Sequence, residues 1–425
     1  MATDTAFQMS ASNVRFGQGV TAEVGLDLRD MGVKKTMVVM DPALIDLPTG
    51  EVVRNSLKQN NIGFDVFSEV SVEPTDSSFK RAAEVACEGR YDSYVAVGGG
   101  STIDTCKAAN LYATYPADFF TYVNAPIGDG KPVPGPTKPL IAIPTTAGTG
   151  SETTGVAIFD YVEKHSKTGI AHRYLKPTLG IVDSDNTCTM PAAVAASSGL
   201  DVLSHALESY TAIPFDQRPK PNSPLERPAY QGANPISDIW AIKALELLAK
   251  YLLRAYADTT DDEARMRMLM ASTIAGIGFG NAGVHLPHGM SYPVAGMVKS
   301  FEPSGYEVDH PIVPHGMSVI LNTPAVVRFT APSNPGRHLR AAAALGVDIT
   351  GVPLEAAGDV LAERVIHFMK LTDMPNGLNA VGYGEEDIPA LVQGTLPQHR
   401  VTKLSPIEAG EPELTKLFED SMVIW

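Results

Sequence analysis

The sequence predicts an α/β domain built on a parallel, Rossmann-like sheet, followed by an all-helical domain. Three observations predict it. Short apolar runs alternate with helical periodicity as far as Asp183, and fully apolar strands between helices belong to a parallel sheet covered on both faces. Two of those runs end in polar, glycine-rich loops, Gly98–Ser101 and Pro144–Glu152, which is where open α/β sheets bind ligands. From Pro191 onward apolar residues recur only at helical spacing, so the expected domains are 1–190 and 191–425.

Taken in order, Thr36–Met40 is a buried strand that stops at Asp41-Pro42, and Gly63–Phe67 is a second. Ser78–Cys87 has helical periodicity. Tyr94–Val97 is a third strand and runs into Gly98-Gly99-Gly100-Ser101, after which an amphipathic helix covers Thr102 to Tyr112. Leu140–Ile143 and Leu179–Val182 complete the sheet. The helical half contains Leu200–Tyr210, Ile236–Tyr256, Asp261–Ile277 and Leu354–Met369. Between the first two of these lies 213–232, whose five prolines exclude a helix interior and mark a long ordered loop or a lid.

A chain of 425 residues with 44% hydrophobic content has the make-up of a soluble protein with cores of native size. A formal net charge of −15 argues against a nucleic-acid or anionic membrane partner but leaves small anionic substrates open. Three cysteines without a C-x-x-C spacing imply no disulfide framework. No apolar run reaches membrane-spanning length, and the opening residues resemble neither a secretory signal nor an Arg-rich transit peptide. The expected location is therefore cytoplasmic.

Glycines at the end of a strand let the backbone approach a ligand, and the following helix N-terminus suits a phosphate. Gly99, Gly100, Ser101 and Asp104 are thus candidate cofactor contacts, with Ser101 and Asp104 also spaced as a capping box. The alternative is a tight strand-to-helix turn that needs glycine only for geometry. The run is not the G-x-G-x-x-G fingerprint, so an ordinary Rossmann assignment fails. The second loop offers the hydroxyls of Thr145, Thr146 and Thr149 to phosphates, ribose or an amide. Asp41 at its strand end suits either a ribose 2′-hydroxyl, favouring NAD over NADP, or an Asp-Pro turn.

Val284–Gly316 holds four of the ten histidines, His285, His288, His310 and His315. Imidazole is the commonest protein metal ligand. Upstream, Asp201 and His205 stand at i and i+4, on one helical face, where they form either half of a metal site or an exposed pair.

Together, GGGSTID (98–104), PTTAGTGSE (144–152), GLDVLSHALESY (199–210), NPISD (234–238), HGMSYP (288–293) and PHG (314–316) resemble the iron-containing (group III) alcohol dehydrogenase family over essentially the whole chain. The resemblance implies a dinucleotide-binding domain at 1–190 and a metal-binding catalytic domain at 191–425. It implies Asp201, His205, His288 and His315 as ligands of a divalent cation, Fe²⁺ first and Zn²⁺ second. Four protein ligands admit substrate only if the site becomes five-coordinate. It implies NAD held by Gly99–Ser101, by Thr145, Thr146 and Thr149, and by Lys167 near the ribose, with Asp41 at the NAD-selecting position.

The chain departs from the commoner pattern where a histidine four residues after the third ligand becomes Tyr292, where His285 is extra, and in the insertion Val298–Val313. RPAYQGANPISDIWA (227–241), GFGNAGVHLPHGMSYPVAG (278–296), VDHPIVPHG (308–316) and ALVQGTLPQHRVTKL (390–404) resemble one branch of the family, the hydroxyacid–oxoacid transhydrogenases. The implied reaction takes hydride from 4-hydroxybutyrate to 2-oxoglutarate through bound NAD, with hydroxy-acid and oxo-acid substrates as the only partners besides further copies of the chain in a dimer or larger homo-oligomer. The animal forms are mitochondrial, and the opening residues point instead to a bacterial cytoplasmic version. His285 and Tyr292 are candidates for the proton relay or packing residues. Arg227, Arg400 and Lys403 are candidates for holding substrate carboxylates or are surface charges. Competing readings are an NAD-dependent alcohol or 4-hydroxybutyrate dehydrogenase with exchangeable cofactor, a lyase of the same fold, and a non-catalytic metal- and nucleotide-binding scaffold.

Overall fold

The structure, a computed structural model, describes residues 2–164, 166–306, 308 and 310–425. His165 of the segment before Lys167, and Glu307 and Asp309 of the insertion, lie outside the described residues. The chain divides into two compact units, Ser10–Met190 and Met1–Met9 with Pro191–Trp425.

In the first unit eight strands form among the described residues: β1 Asn13–Phe16, β2 Lys35–Met40, β3 Gly63–Phe67, β4 Ser93–Gly98, β5 Leu140–Pro144, β6 Val156–Tyr161, β7 Ser166–Ala171 and β8 Leu179–Val182. Six make one parallel sheet in the order β1-β8-β5-β4-β2-β3. Four α-helices among the described residues belong to this unit, α1 Val24–Asp30, α2 Pro48–Gln59, α3 Asp76–Gly89 and α4 Gly100–Thr114. Successive strand residues point to opposite faces. Val38, Met40, Val95, Val97, Ile141 and Ile143 therefore form one core with Val24 and Leu28 of α1 and Val53 and Leu57 of α2. Met37, Val39, Tyr94, Ala96 and Ala142 form another with Ala82 and Ala86 of α3 and Ile103, Cys106 and Ala109 of α4. Both faces of the sheet are covered, as the apolar strand runs require.

Three features differ from the sequence reading. The edge strand β1 was not expected, because its short, half-exposed run NVRF mixes polar and apolar residues and lacks the continuous apolar signature of the central strands. Strands β6 and β7 pair antiparallel as a separate hairpin, so the unit is not purely parallel. Helix α4 opens at Gly100 with Gly99 as an N-cap that makes no side-chain bond. Ser101 is thus already inside the first turn, and the expected Ser101–Asp104 capping box does not form.

The second unit contains α5 Ala192–Thr211, α6 Pro235–Ala257, α7 Asp262–Ala282, α8 Leu286–Gly296, α9 His315–Ile320, α10 Thr323–Thr330, α11 Pro335–Ala344, α12 Ala357–Leu371, α13 Ile388–Thr395, α14 His399–Thr402 and α15 Glu411–Met422. Helix α5 is buried along most of its length. A Cβ at Gly199 would lie 2.3 Å from Leu252 Cδ1, so this glycine sets how near α6 can come. The proline-rich 213–232 carries two short turns of 3₁₀ helix, Phe215–Gln217 and Pro224–Glu226, and isolated bridges at Pro214 and Pro219. No described helix is long and apolar enough to cross a membrane. Cys87, Cys106 and Cys188 are free thiols.

The opening residues group with the helical unit, which corrects the expected span of 1–190. Thr3 bridges Pro219, and the Asp4 N–H donates to the Arg218 carbonyl at 2.9 Å. The Asp4 carboxylate, 1% exposed, accepts from Arg227 through both oxygens at 2.9 and 3.1 Å. These guanidinium bonds hold the Asp4 carboxyl below its usual range, against the opposing effect of burial.

Candidate active site

Helices α5, α8 and α9 bring Asp201, His205, His288 and His315 together, with one donor atom of each within 4.8 Å of all the others. Asp201 Oδ1 lies 3.7 Å from His205 Nε2, 3.6 Å from His288 Nε2 and 3.9 Å from His315 Nε2. Ligands about 2.1 Å from one tetrahedral cation would stand about 3.4 Å apart, so the set fits a shared ion after small side-chain shifts. His288 Nε2 is buried and has no hydrogen-bond partner among the described residues. A carboxylate and three imidazoles suit Fe²⁺ or Zn²⁺.

The approach of these helices is set by the glycine after each of the last two histidines. A Cβ at Gly316 would lie 2.1 Å from the Ser197 carbonyl oxygen and 2.9 Å from Asp201 Cβ. Only glycine lets α9 come near enough to α5 to carry His315 to Asp201. A Cβ at Gly289 would lie 2.8 Å from Thr402 Cγ2, so that glycine seats α14 against the His288 turn. The His205 ring is fixed by stacking on Phe279 with centroids 3.9 Å apart.

Glu208, to which the sequence reading gave no role, lies beneath this set. Its Oε1 accepts from His288 Nδ1 at 2.6 Å and its Oε2 from the His285 N–H at 2.5 Å. A proton held on Nδ1 leaves the Nε2 lone pair of His288 for a cation. Burial pushes the Glu208 carboxyl up to about 7, with His285 and the two backbone N–H groups opposing. The signal was present, because Asp201, His205 and Glu208 stand at i, i+4 and i+7 on one helical face.

His285 is displaced from its expected place one turn before His288. It is the N-cap of α8, outside the helix, so the i, i+3 argument does not hold for it. Its Nε2 meets Thr211 Oγ1 at 3.0 Å, and burial pushes the ring down to about 4. Tyr292, one true turn beyond His288 on α8, is 3% exposed and accepts from Arg400 Nη2 at 2.5 Å. The Arg400 guanidinium lies 5.0 Å from the Tyr230 ring centre and also hydrogen-bonds Tyr230. Burial, and secondarily the Arg400 charge, pushes His288 down to about 3. Arg227 is committed to Asp4, and Lys403 is exposed after α14, so neither joins this group. His310 is also exposed and outside the four donors.

The two glycine-rich loops meet each other in the first unit. A Cβ at Gly100 would lie 2.6 Å from Thr149 Cγ2, and one at Gly99 would lie 3.3 Å from Thr146 Oγ1. The N-terminus of α4, capped by a glycine and flanked by Thr146 and Thr149, has the chemistry of an anion-binding turn and could hold a pyrophosphate. The Thr145 N–H donates to the Gly98 carbonyl at 3.1 Å. Asp41 Oδ1 accepts from the Ala43 N–H at 3.0 Å, the Asp-Pro turn, with its other oxygen outside that turn. Lys167 is 1% exposed, held by Glu73 and by Asp160 Oδ1 at 2.8 Å. Burial alone would lower its ammonium, but those two carboxylates raise it.

Asp104 turns from the cofactor side to the interior. Oδ1 accepts from Ser151 Oγ at 2.5 Å and Lys107 Nζ at 3.1 Å, and Oδ2 from the Ile158 N–H at 2.9 Å. Lys107, 1% exposed, also donates to Ser151 Oγ and the Val156 carbonyl at 2.6 and 2.8 Å. This knot ties α4 to the second loop. Lys107→Met is expected to cost about 3 kcal/mol by leaving Asp104 without its cation, read as a lower denaturant midpoint at unchanged m-value.

Two family models match the chain: iron-containing alcohol dehydrogenase over residues 11–184, and the C-terminal part of the Fe-containing alcohol dehydrogenase family over residues 226–422. The chain belongs to the iron-containing alcohol dehydrogenase family and is an enzyme, a metal-dependent oxidoreductase. Within that family it is similar to the mitochondrial hydroxyacid-oxoacid transhydrogenase of Mus musculus, with 58% identity over 99% of the chain and 91% of the relative. The Homo sapiens enzyme of that name is likewise 58% identical, over 100% of the chain and 91% of the relative. Among solved structures, 1,3-propanediol oxidoreductase superposes with a TM-score of 0.85 at 26% identity, covering 98% of this chain and 100% of that one. Sulfoacetaldehyde reductase from Bifidobacterium kashiwanohense in complex with NAD⁺ does so with 0.81 at 25%, covering 99% and 100%. Both transhydrogenases are named as mitochondrial, which overturns the expected cytoplasmic location. The expectation rested on the opening residues, and a folded body carries no mark of its compartment.

Proposed function

We propose that this enzyme transfers hydride from 4-hydroxybutyrate to 2-oxoglutarate, giving succinate semialdehyde and 2-hydroxyglutarate, with Fe²⁺ as its cation and one NAD retained between the two half-reactions. The observation that carries the reading is the convergence of Asp201, His205, His288 and His315. The full-length likeness to transhydrogenases supports the reaction class. Its working form in this reading is a dimer or larger homo-oligomer.

When bound, the cation supplies Lewis acidity toward a substrate oxygen and NAD supplies the hydride acceptor and donor. The protein's own contribution is placement. Glu208 keeps the His288 proton on Nδ1. Gly99, Gly100 and Ser101 offer N–H groups to the pyrophosphate, while Thr145, Thr146 and Thr149 line the cofactor. The outer oxygen of Asp41 takes the ribose hydroxyl and repels a 2′-phosphate. Lys167, gripped by two carboxylates, contributes fixed charge near the ribose. Tyr292, on the His288 face of α8, is the better candidate for moving the hydroxyl proton, since His285 ends on Thr211.

The test is turnover of 4-hydroxybutyrate plus 2-oxoglutarate by the purified, metal-replete protein with no added NAD. Succinate semialdehyde and 2-hydroxyglutarate should form in equal amounts. A strict need for added NAD would leave a dehydrogenase with exchangeable cofactor, and no redox turnover with either acid would sink the reaction.

A further inference from the structure

A half-buried guanidinium near a cation site, without an anionic partner, requires an explanation. Arg400 forms no ion pair among the described residues; its contacts are the hydroxyl of Tyr292 and the ring and hydroxyl of Tyr230. Its Nη1 is buried and donates to nothing among the described residues. Removing a charge from water without a counter-charge is unfavourable, so a group built this way is completed by an anion from solution. The position is fixed from two sides. Tyr292 is one helical turn from His288, so its hydroxyl carries Arg400 to the metal-ligand face of α8. Gly289 lets Val401 and Thr402 settle on the same turn.

We propose that Arg400, oriented by Tyr292 and Tyr230, anchors a carboxylate that stands two methylenes from the reacting carbon. This rests on the reaction proposed above and deepens it. In 4-hydroxybutyrate the carbinol carbon is separated from the carboxylate by two methylenes. In 2-oxoglutarate the keto carbon is separated from its distal carboxylate by two methylenes as well. One cation at one distance therefore serves the donor and the acceptor in turn, and both reacting carbons come to the same spot. The two substrates differ there only by the hydrogen or second carboxylate on that carbon. Arg400 is thus a spacing gauge for a class of substrates: ω-hydroxy or 2-oxo acids with a carboxylate at that interval.

The experiment uses metal- and NAD-loaded wild type, Arg400→Met, Arg400→Lys and Tyr292→Phe. It measures kcat/KM for 4-hydroxybutyrate, 2-oxoglutarate and the uncharged 1,4-butanediol, and the affinity for butanoate by calorimetry. Arg400→Met should lower kcat/KM for both acids by about 30-fold relative to the diol, mainly through KM. Butanoate affinity should fall in parallel, with Arg400→Lys intermediate and Tyr292→Phe shifted in the same direction. Wild type should prefer 4-hydroxybutyrate to its homologues one methylene shorter or longer. Loss confined to one acid, equal loss for acids and diol, or unchanged butanoate binding in Arg400→Met would overturn the anchor. A wild type that fails to turn over the acid pair, but whose butanoate binding still depends on Arg400, would instead remove the reaction and keep the anchor.

Discussion

His288→Ala is expected to lose the bound metal and to lower kcat/KM by more than about a thousandfold, the largest effect among the variants considered. The geometry gives two reasons. The substitution removes one of the three imidazoles around Asp201 Oδ1, and the lost ring is the one fixed from behind by Glu208. It also strips that buried carboxylate of its imidazole partner, so the metal-free variant should be less stable as well. Metal content by mass spectrometry, run beside thermal denaturation and turnover, separates these effects. A variant that keeps stoichiometric metal and turns over within tenfold of wild type would show that the four side chains do not share an ion.

Glu208→Ala comes next. It should weaken metal affinity by about 100-fold while leaving all four donors in the chain. Glu208 accepts from the His288 ring and from the His285 backbone at once, and alanine leaves both donors buried without acceptors. Glu208→Gln distinguishes orientation from mere filling of space. Its single amide oxygen can serve one of the two donors, and its NH₂ then faces the other, so it should recover little. Titration with Co²⁺, followed by visible absorption, reads affinity and ligand field without turnover. A Co²⁺ spectrum and affinity equal to wild type in Glu208→Gln would reduce the residue to packing.

The contrast between what was legible in the sequence and what was not follows the distance over which the information is carried. The central strands announce themselves because each is apolar on both faces, whereas β1 and the β6–β7 hairpin do not because edge and hairpin strands mix polar residues. Asp201, His205 and Glu208 share a face by helical arithmetic alone. His285 was misplaced because α8 begins one residue later, a matter of cap geometry. The pairing of Tyr292 with Arg400 spans 108 positions and leaves no periodic trace. The same is true of Arg227 and Asp4, 223 positions apart, and of the knot that turns Asp104 inward. In each case the residue type advertised chemistry, and a distant partner decided whether it was spent on structure.

The anchoring of residues 2–9 against 218–231 bears on how the protein is made. Residues 2–9 are made well before the partners that neutralise Asp4 and seat Gln8, which are translated more than two hundred codons later. Until then the nascent chain carries an unpaired segment ahead of a complete α/β unit. Closing so long a span adds little entropy beyond that of a shorter loop, so delay rather than free energy is the obstacle. Residues 2–9 therefore join the helical unit only after 218–231 have been made, although they precede the whole α/β unit in the chain.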